Sequence, residues 1–225
     1  MAVRSLVRCG VLLAVALMPG WVAAAPVKGT LVFPESMRQP RDETQGYWRL
    51  ENGVVPVATP ARSVFAETLV VLESSAAATP GGASATVEMV GLDFTPRVLP
   101  VALGTTVEFK NSDKHLHVLW SPENTSFFKQ EPSPPGSSRK VRFFAPGAVI
   151  IRCSEFPHML GAVIVMAQPL YARPDSGGTF TLTAPDGRYM MRVFSRGRWV
   201  HQQPVEVGAQ MAELKVKIAP PKERE

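Results

Sequence analysis

The chain has 225 residues, with 24 Lys and Arg against 19 Asp and Glu, and its formal charge is only +5. With no dense basic run, this charge does not favour nucleic acid as a partner. Its 21 prolines and 17 glycines, and the absence of a long helical periodicity, predict an all-β protein with strands joined by turns. The sequence contains no Ser/His/Asp set, paired-acid motif or phosphate loop, so we expect no enzyme activity.

The first 24 residues predict a signal peptide. Arg4 and Arg8 precede the apolar run Val11–Met18, and Val22-Ala23-Ala24 offers small residues for cleavage. The run is too short to span a bilayer, so we expect export to the periplasm and no stable membrane span after cleavage. A retained anchor helix is the alternative interpretation.

Residues 25–75 predict a first group of strands, followed by a flexible stretch of small residues that we interpret as a linker. The Asn52-Gly53 pair is typical of a tight turn. The predicted strands are Val27–Phe33, Tyr47–Leu50 and Glu67–Leu72.

Residues 85–167 show the clearest strand patterns of the chain. Two β-branched apolar runs, Ala148–Ile151 and Gly161–Met166, predict buried strands. The loop between them carries Cys153, His158 and Met159, which are a thiol, an imidazole and a thioether within seven residues. Two histidines, a cysteine and a weak axial methionine form a ligand set that suits copper, so the loop predicts a copper site. The other predicted strands are Thr86–Val90, Thr105–Phe109 and Arg139–Phe144.

Cys153 is the only cysteine that remains once Cys9 leaves with the signal peptide. It therefore cannot form an internal disulfide, and a free thiol in an oxidising compartment needs burial or a bound partner. The alternative to a ligand is a buried cysteine that acts as a small apolar side chain.

Residues 86–166 resemble cupredoxins of the plastocyanin and amicyanin type. The resemblance rests on Gly104–Asn111, on Asn111-Ser112-Asp113 followed by His117, and on Phe144-Ala145-Pro146-Gly147 ahead of Cys153. It implies a Greek-key β-sandwich that binds copper and carries one electron, with His117 and Cys153 as ligands.

The ligand loop departs from that family pattern. Phe156 stands three residues after the cysteine, where those cupredoxins have a histidine, while His158 lies five and Met159 six residues after it. The resemblance implies His158 as the second histidine and Met159 as the axial ligand, although either of these neighbours could be a bystander. His115 could be a substitute ligand, a supporting group or an exposed side chain.

Residues 168–219 predict a further set of strands, and residues 220–225 a tail. Gly178–Leu182 followed by Pro185–Tyr189 resembles the carboxypeptidase regulatory-like, or transthyretin-like, β-sandwich. The two opening strands of that fold are missing after residue 168, and the first segment has strands that fit them. We therefore predict a cupredoxin inserted into a second, split β-sandwich.

Three functions remain open at this stage. The first is an exported one-electron carrier, and the second is a periplasmic protein for copper storage or delivery. The third is a metal-free β-sandwich scaffold with a degenerate copper site. The expected partner is a redox protein or a copper acceptor, and the sequence does not predict the oligomeric state.

Overall fold

The computed structural model describes residues 24–39, 63–75, 80–123 and 128–220. Apart from Ala24, the predicted signal peptide lies outside these ranges, as do the predicted strand Tyr47–Leu50 and its turn. No helix among the described residues is long and apolar enough to cross a membrane.

The regular secondary structure of the described residues is almost entirely β-structure, as predicted. Two single helical turns accompany the strands, an α-helix at Glu35–Arg38 and a 3₁₀ turn at Val64–Glu67. The strands are β1 (Ala24–Val32), β2 (Thr68–Glu73), β3 (Ser84–Met89), β4 (Phe94–Thr95), β5 (Val98–Ala102), β6 (Thr106–Asn111), β7 (His117–Trp120), β8 (Glu131–Ser133), β9 (Ser138–Arg142), β10 (Gly147–Cys153), β11 (Leu160–Met166), β12 (Tyr171–Ala172), β13 (Thr179–Pro185), β14 (Gly187–Ser195), β15 (Arg198–Val207) and β16 (Leu214–Lys217).

Strands β3 to β11 form the inner sandwich. One sheet has the order β5-β11-β10-β7-β8 and the other β4-β3-β6-β9. Alternate residues of β10, such as Val149, Ile151 and Cys153, point into the core between these sheets. This two-residue period explains why the apolar run before Cys153 forms a strand that ends with its thiol in the core.

Strands β1, β2 and β12 to β16 form the flanking sandwich, with sheets β13-β1-β16 and β12-β2-β14-β15. In the first sheet Val27 pairs with Leu182, and in the second Leu72 pairs with Met191. The first and last segments therefore share both sheets, and the inner sandwich lies between them in sequence. The prediction of an all-β protein with two β-sandwiches is confirmed. The domain bounds at residues 75, 85, 167 and 219 stay a prediction.

The two sandwiches meet across a third apolar cluster. Leu69 and Val71 of β2 point away from the flanking core and pack in the same cluster as Ile150 of β10 and Ile164 of β11. All four side chains are at most 5% exposed. Strands covered on both faces read as continuous apolar runs rather than as alternating ones. This explains why β2, β10 and β11 each contain a run of consecutive apolar residues.

Candidate metal centre

Pairing between β7 and β10 brings His117 next to Cys153. Cys153 lies opposite Leu119, and the Ser154 N–H donates to the Val118 carbonyl at 2.9 Å. This register places the first residue of β7 beside the last residue of β10, with the His117 Nδ1 atom 3.6 Å from the Cys153 Sγ atom. His117 is completely buried and Cys153 is 2% exposed. Two residues 36 positions apart thus contact each other in the buried core.

Asp113 determines which nitrogen of His117 faces the thiol. Its Oδ2 atom lies 3.0 Å from His117 Nε2. An ionised carboxylate can only accept a hydrogen bond, so Nε2 carries the proton and Nδ1 presents a lone pair towards Cys153. No role for Asp113 was predicted from the sequence, although a carboxylate four residues before a candidate ligand histidine is a usable signal.

Asn111 holds the loop that carries Asp113 and His117. Its Nδ2 atom donates to the carbonyls of His115, at 2.8 Å, and Ser133, at 2.7 Å. Its Oδ1 atom accepts from the Asp113 N–H at 3.0 Å. Asn111 is fully buried, so its three bonds fix the loop without competition from water.

Burial keeps both His117 and Cys153 neutral. Burial lowers the pKa of His117, and the hydrogen bond and charge of Asp113 oppose this. Burial also raises the pKa of Cys153, and hydrogen bonds from the backbone of Val118, Phe156 and Glu155 oppose it. Both directions favour a neutral thiol beside a neutral imidazole.

Phe156 packs against the same imidazole. Its ring centroid lies 5.1 Å from that of His117 and 5.9 Å from that of His115. The position three residues after the cysteine, where the resembled cupredoxins have a histidine, thus carries an apolar ring against His117. His115, which contacts the same ring, is exposed.

His158 is buried, 8% exposed, and its Nε2 atom donates to the Leu92 carbonyl at 2.9 Å. Within the described ranges, no three side chains of His, Cys, Asp or Glu come together as a group that could hold a metal. The structure therefore does not assemble His158 with His117 and Cys153, and its role as a ligand stays a prediction.

Met159 lies inside the inner sandwich. Its side chain is fully buried and belongs to the same apolar cluster as Cys153. The Met159 N–H donates to the Phe156 carbonyl at 2.9 Å, which closes a turn between the cysteine and the methionine. The core that contains the thiol thus also buries the thioethers of Met159 and Met89.

Comparisons with known proteins give structural neighbours only. No family model matches the chain, and no curated relative does. A purple cupredoxin from Nitrosopumilus maritimus is 22% identical, with 36% of this chain and 98% of that chain covered and a TM-score of 0.32. Amicyanin from Paracoccus versutus is 20% identical over 43% of this chain and 96% of that one, with a TM-score of 0.33. A pseudoazurin from a Sinorhizobium species is 24% identical over 36% of this chain and 72% of that one, with a TM-score of 0.30.

These neighbours are cupredoxins, and the likeness is one of fold over part of the chain. The resemblance of the last segment to carboxypeptidase regulatory-like sandwiches finds no support among them. The description of the flanking sandwich therefore depends only on the strand pairing seen in the structure.

The donor atoms fit one state of copper better than the other. A buried thiol, an imidazole lone pair 3.6 Å from it and a thioether in the same core form a soft set, which suits Cu(I). A His₂Cys set is not assembled among the described residues. The side-chain chemistry of Cys153, His117 and Met159 suits copper, and their roles as ligands stay a prediction.

Proposed function

We propose that this protein is an exported copper-binding protein that holds Cu(I) through His117, Cys153 and Met159, for storage or delivery to a copper acceptor. The observation that carries the proposal is the 3.6 Å separation of His117 Nδ1 and Cys153 Sγ inside a closed core. Export to the periplasm, predicted from residues 1–24, supplies an oxidising compartment in which an unprotected thiol is at risk.

The composition of the site favours holding Cu(I) over cycling between two oxidation states. Thiolate and thioether sulfur select Cu(I), whereas sites that use both states add a second imidazole. Phe156 stands where that imidazole would come from, and His158 is hydrogen-bonded to a backbone carbonyl. In this arrangement His158 supports the loop rather than the metal.

The protein residues perform three separate tasks when the site is loaded. Cys153 would hold the ion as a thiolate, with its proton released to water, and the charge of the ion would favour the ionised form. Asp113 keeps the remaining imidazole proton on Nε2, so that Nδ1 of His117 stays available. The ring of Phe156 covers His117 and limits access of water.

One-electron transfer is the second candidate. It is favoured by the rigid, buried frame of the site, in which Asn111 and Asp113 fix His117 before any ion binds. A fixed ligand frame reduces the rearrangement that accompanies a change of oxidation state. The partner would then be a redox protein rather than a copper acceptor.

A titration of Cu(I) against a chromophoric chelator, under anaerobic conditions, tests the proposal. The wild-type protein should take up one Cu(I), Cys153→Ser and His117→Ala should lose this binding, and Met159→Leu should weaken it. Met166→Leu is the matched control, because Met166 is also buried but lies in the cluster between the two sandwiches. An intense visible band after loading with Cu(II) would favour the electron carrier, and no uptake of either ion would favour a metal-free scaffold.

A further inference from the structure

The turn Val90–Asp93, between β3 and β4, has an unusual backbone. Gly91 and Leu92 both have positive φ angles, of 65° and 58°. Such a conformation is unfavourable for leucine, so the surroundings must hold it. The Asp113 carboxylate does so by accepting from the N–H of Gly91 at 2.6 Å and of Leu92 at 3.1 Å.

This turn touches both loops of the candidate metal centre. Through Asp113 it is joined to His117, because the same carboxylate contacts the His117 Nε2 atom. Through its own Leu92 carbonyl it is joined to His158 in the loop that follows Cys153. A displacement of the turn would therefore move the supports of both loops together.

Asp93, the last residue of the turn, is connected to the flanking sandwich by ion pairs. Asp93 accepts from the Arg97 Nε atom at 2.7 Å, and the Arg97 Nη1 atom contacts Glu67 Oε1 at 2.7 Å. Glu67 ends the 3₁₀ turn before β2, and its second oxygen lies 3.7 Å from Arg196 Nε. The side chains of all four residues are at most 11% exposed.

The four charges of this buried cluster constrain the positions of the side chains that carry them. Two carboxylates and two guanidinium groups compensate one another only while they stay in contact. Buried ion pairs add little net stability compared with apolar residues, but removing one partner leaves an uncompensated buried charge. The cluster is therefore better suited to fixing the position of the turn than to holding the sandwiches together, which the apolar interface does.

We propose that the flanking sandwich positions the metal centre of the inner sandwich, and that Glu67 is the positioning residue. The connection runs from Glu67 through Arg97 and Asp93 to the turn Val90–Asp93. From there it reaches His117 by way of Asp113, and the Cys153 loop by way of His158. Measurements of copper affinity in these variants rest on the proposed function, whereas measurements on the metal-free protein do not.

Glu67→Gln tests the connection, with Glu73→Gln as the matched control. Glu73 also belongs to the flanking sandwich and also pairs with an arginine, Arg192 at 3.2 Å, but it does not contact the cluster. In metal-free protein, the rate at which a disulfide reagent labels Cys153 and the ¹⁵N shifts of the His117 ring report on the pocket. We expect Glu67→Gln to raise the labelling rate about tenfold and to shift the His117 signals, and Glu73→Gln to match wild type.

Copper affinity is the second measurement. The Cu(I) affinity of Glu67→Gln should fall by a similar factor, with that of Glu73→Gln unchanged. Wild-type labelling and His117 shifts in Glu67→Gln would overturn the connection even if copper binds as proposed. If wild-type protein takes up no copper but Glu67→Gln still alters labelling and His117, the proposed function fails and the connection stands.

Arg97→Lys tests the same connection if Glu67→Gln does not fold. Lysine retains the positive charge but lacks the guanidinium group, which contacts Asp93 and Glu67 at the same time. A folded Arg97→Lys protein should show faster Cys153 labelling and altered His117 shifts, and wild-type values for both would overturn the proposal.

Discussion

The Asp113 carboxylate lies 3.0 Å from His117 Nε2, on the side of the imidazole that faces away from the thiol. This contact fixes the tautomer before any metal arrives. It also ties the histidine to the turn that holds the neighbouring loop, because the same carboxylate accepts from Gly91 and Leu92. One acidic side chain thus sets both the chemistry and the position of the imidazole.

Replacing Asp113 by Asn should weaken copper binding without abolishing it. The amide can donate to Nε2 and favour the tautomer with a proton on Nδ1, the atom that faces Cys153. Loss of such a supporting carboxylate typically lowers metal affinity about 10–100-fold, which a Cu(I) competition titration measures. Asp186→Asn, in an exposed turn of the flanking sandwich, should bind as wild type. Equal affinity for Asp113→Asn and Asp186→Asn would contradict the role given to Asp113.

Phe156→His should convert the site into one that also stabilises Cu(II). The ring at this position packs against His117, so the substitution introduces a second imidazole beside the first. Two histidines and a cysteine suit copper in both oxidation states, so Cu(II) loading should give an intense thiolate-to-copper absorption band.

Phe144→His is the matched control, because Phe144 is 63% exposed on the surface of the inner sandwich. It should add a histidine without adding colour. A colourless Phe156→His protein with bound Cu(II) would show that position 156 does not face the metal.

Unfolding in urea should depend on pH through His117 and Cys153. The pKa of folded His117 is lowered from 6.5, so its contribution to the free energy of unfolding is complete above pH 6.5 and is lost as the pH falls. The pKa of folded Cys153 is raised from 9.0, so its contribution is complete below pH 9.0 and is lost as the pH rises.

Substitutions show which residue causes the loss of stability on the acid side and which causes the loss on the alkaline side, the two limbs of the pH profile. His117→Gln should reduce the loss on the acid side, and Cys153→Ala should reduce the loss on the alkaline side. His115→Gln, at an exposed position, should leave both limbs unchanged. An acid limb that is the same in wild type and His117→Gln would contradict the burial of a neutral imidazole.

Leu69→Ala should destabilise the protein through the interface between the two sandwiches. Leu69 is fully buried in the apolar cluster that both share. Removing such a side chain typically costs about 2–5 kcal/mol, measurable by urea denaturation. Leu116→Ala, at a position that is 45% exposed, should change stability by less than about 0.5 kcal/mol. A neutral Leu69→Ala substitution would show that the interface contributes little.

Much of the fold is readable from local patterns. The β-branched run before Cys153 and the alternation in Thr179–Thr183 both appear as strands, because side-chain direction in a strand repeats every two residues. The pairing of early with late strands was predicted only through the resemblance to the carboxypeptidase regulatory-like sandwich, a fold whose two opening strands are missing after residue 168.

The details of the site were not predictable in the same way. Spacing from Cys153 could not predict that His158 is hydrogen-bonded to the carbonyl of Leu92, 66 residues earlier. The positive φ of Leu92 and the contact between Glu67 and Arg97 likewise depend on tertiary neighbours. Local sequence carries the strand period, whereas the orientation of each ligand depends on which loops meet.

X-ray absorption at the copper edge of the Cu(I)-loaded protein tests the central claim most directly. The account predicts sulfur scattering together with the outer-shell pattern of a single imidazole. The imidazole pattern should disappear in His117→Ala, the sulfur contribution should decrease in Cys153→Ser, and both should be unchanged in His158→Gln. A copper ion bound without sulfur, or a spectrum that both His117→Ala and Cys153→Ser leave unaltered, would contradict it.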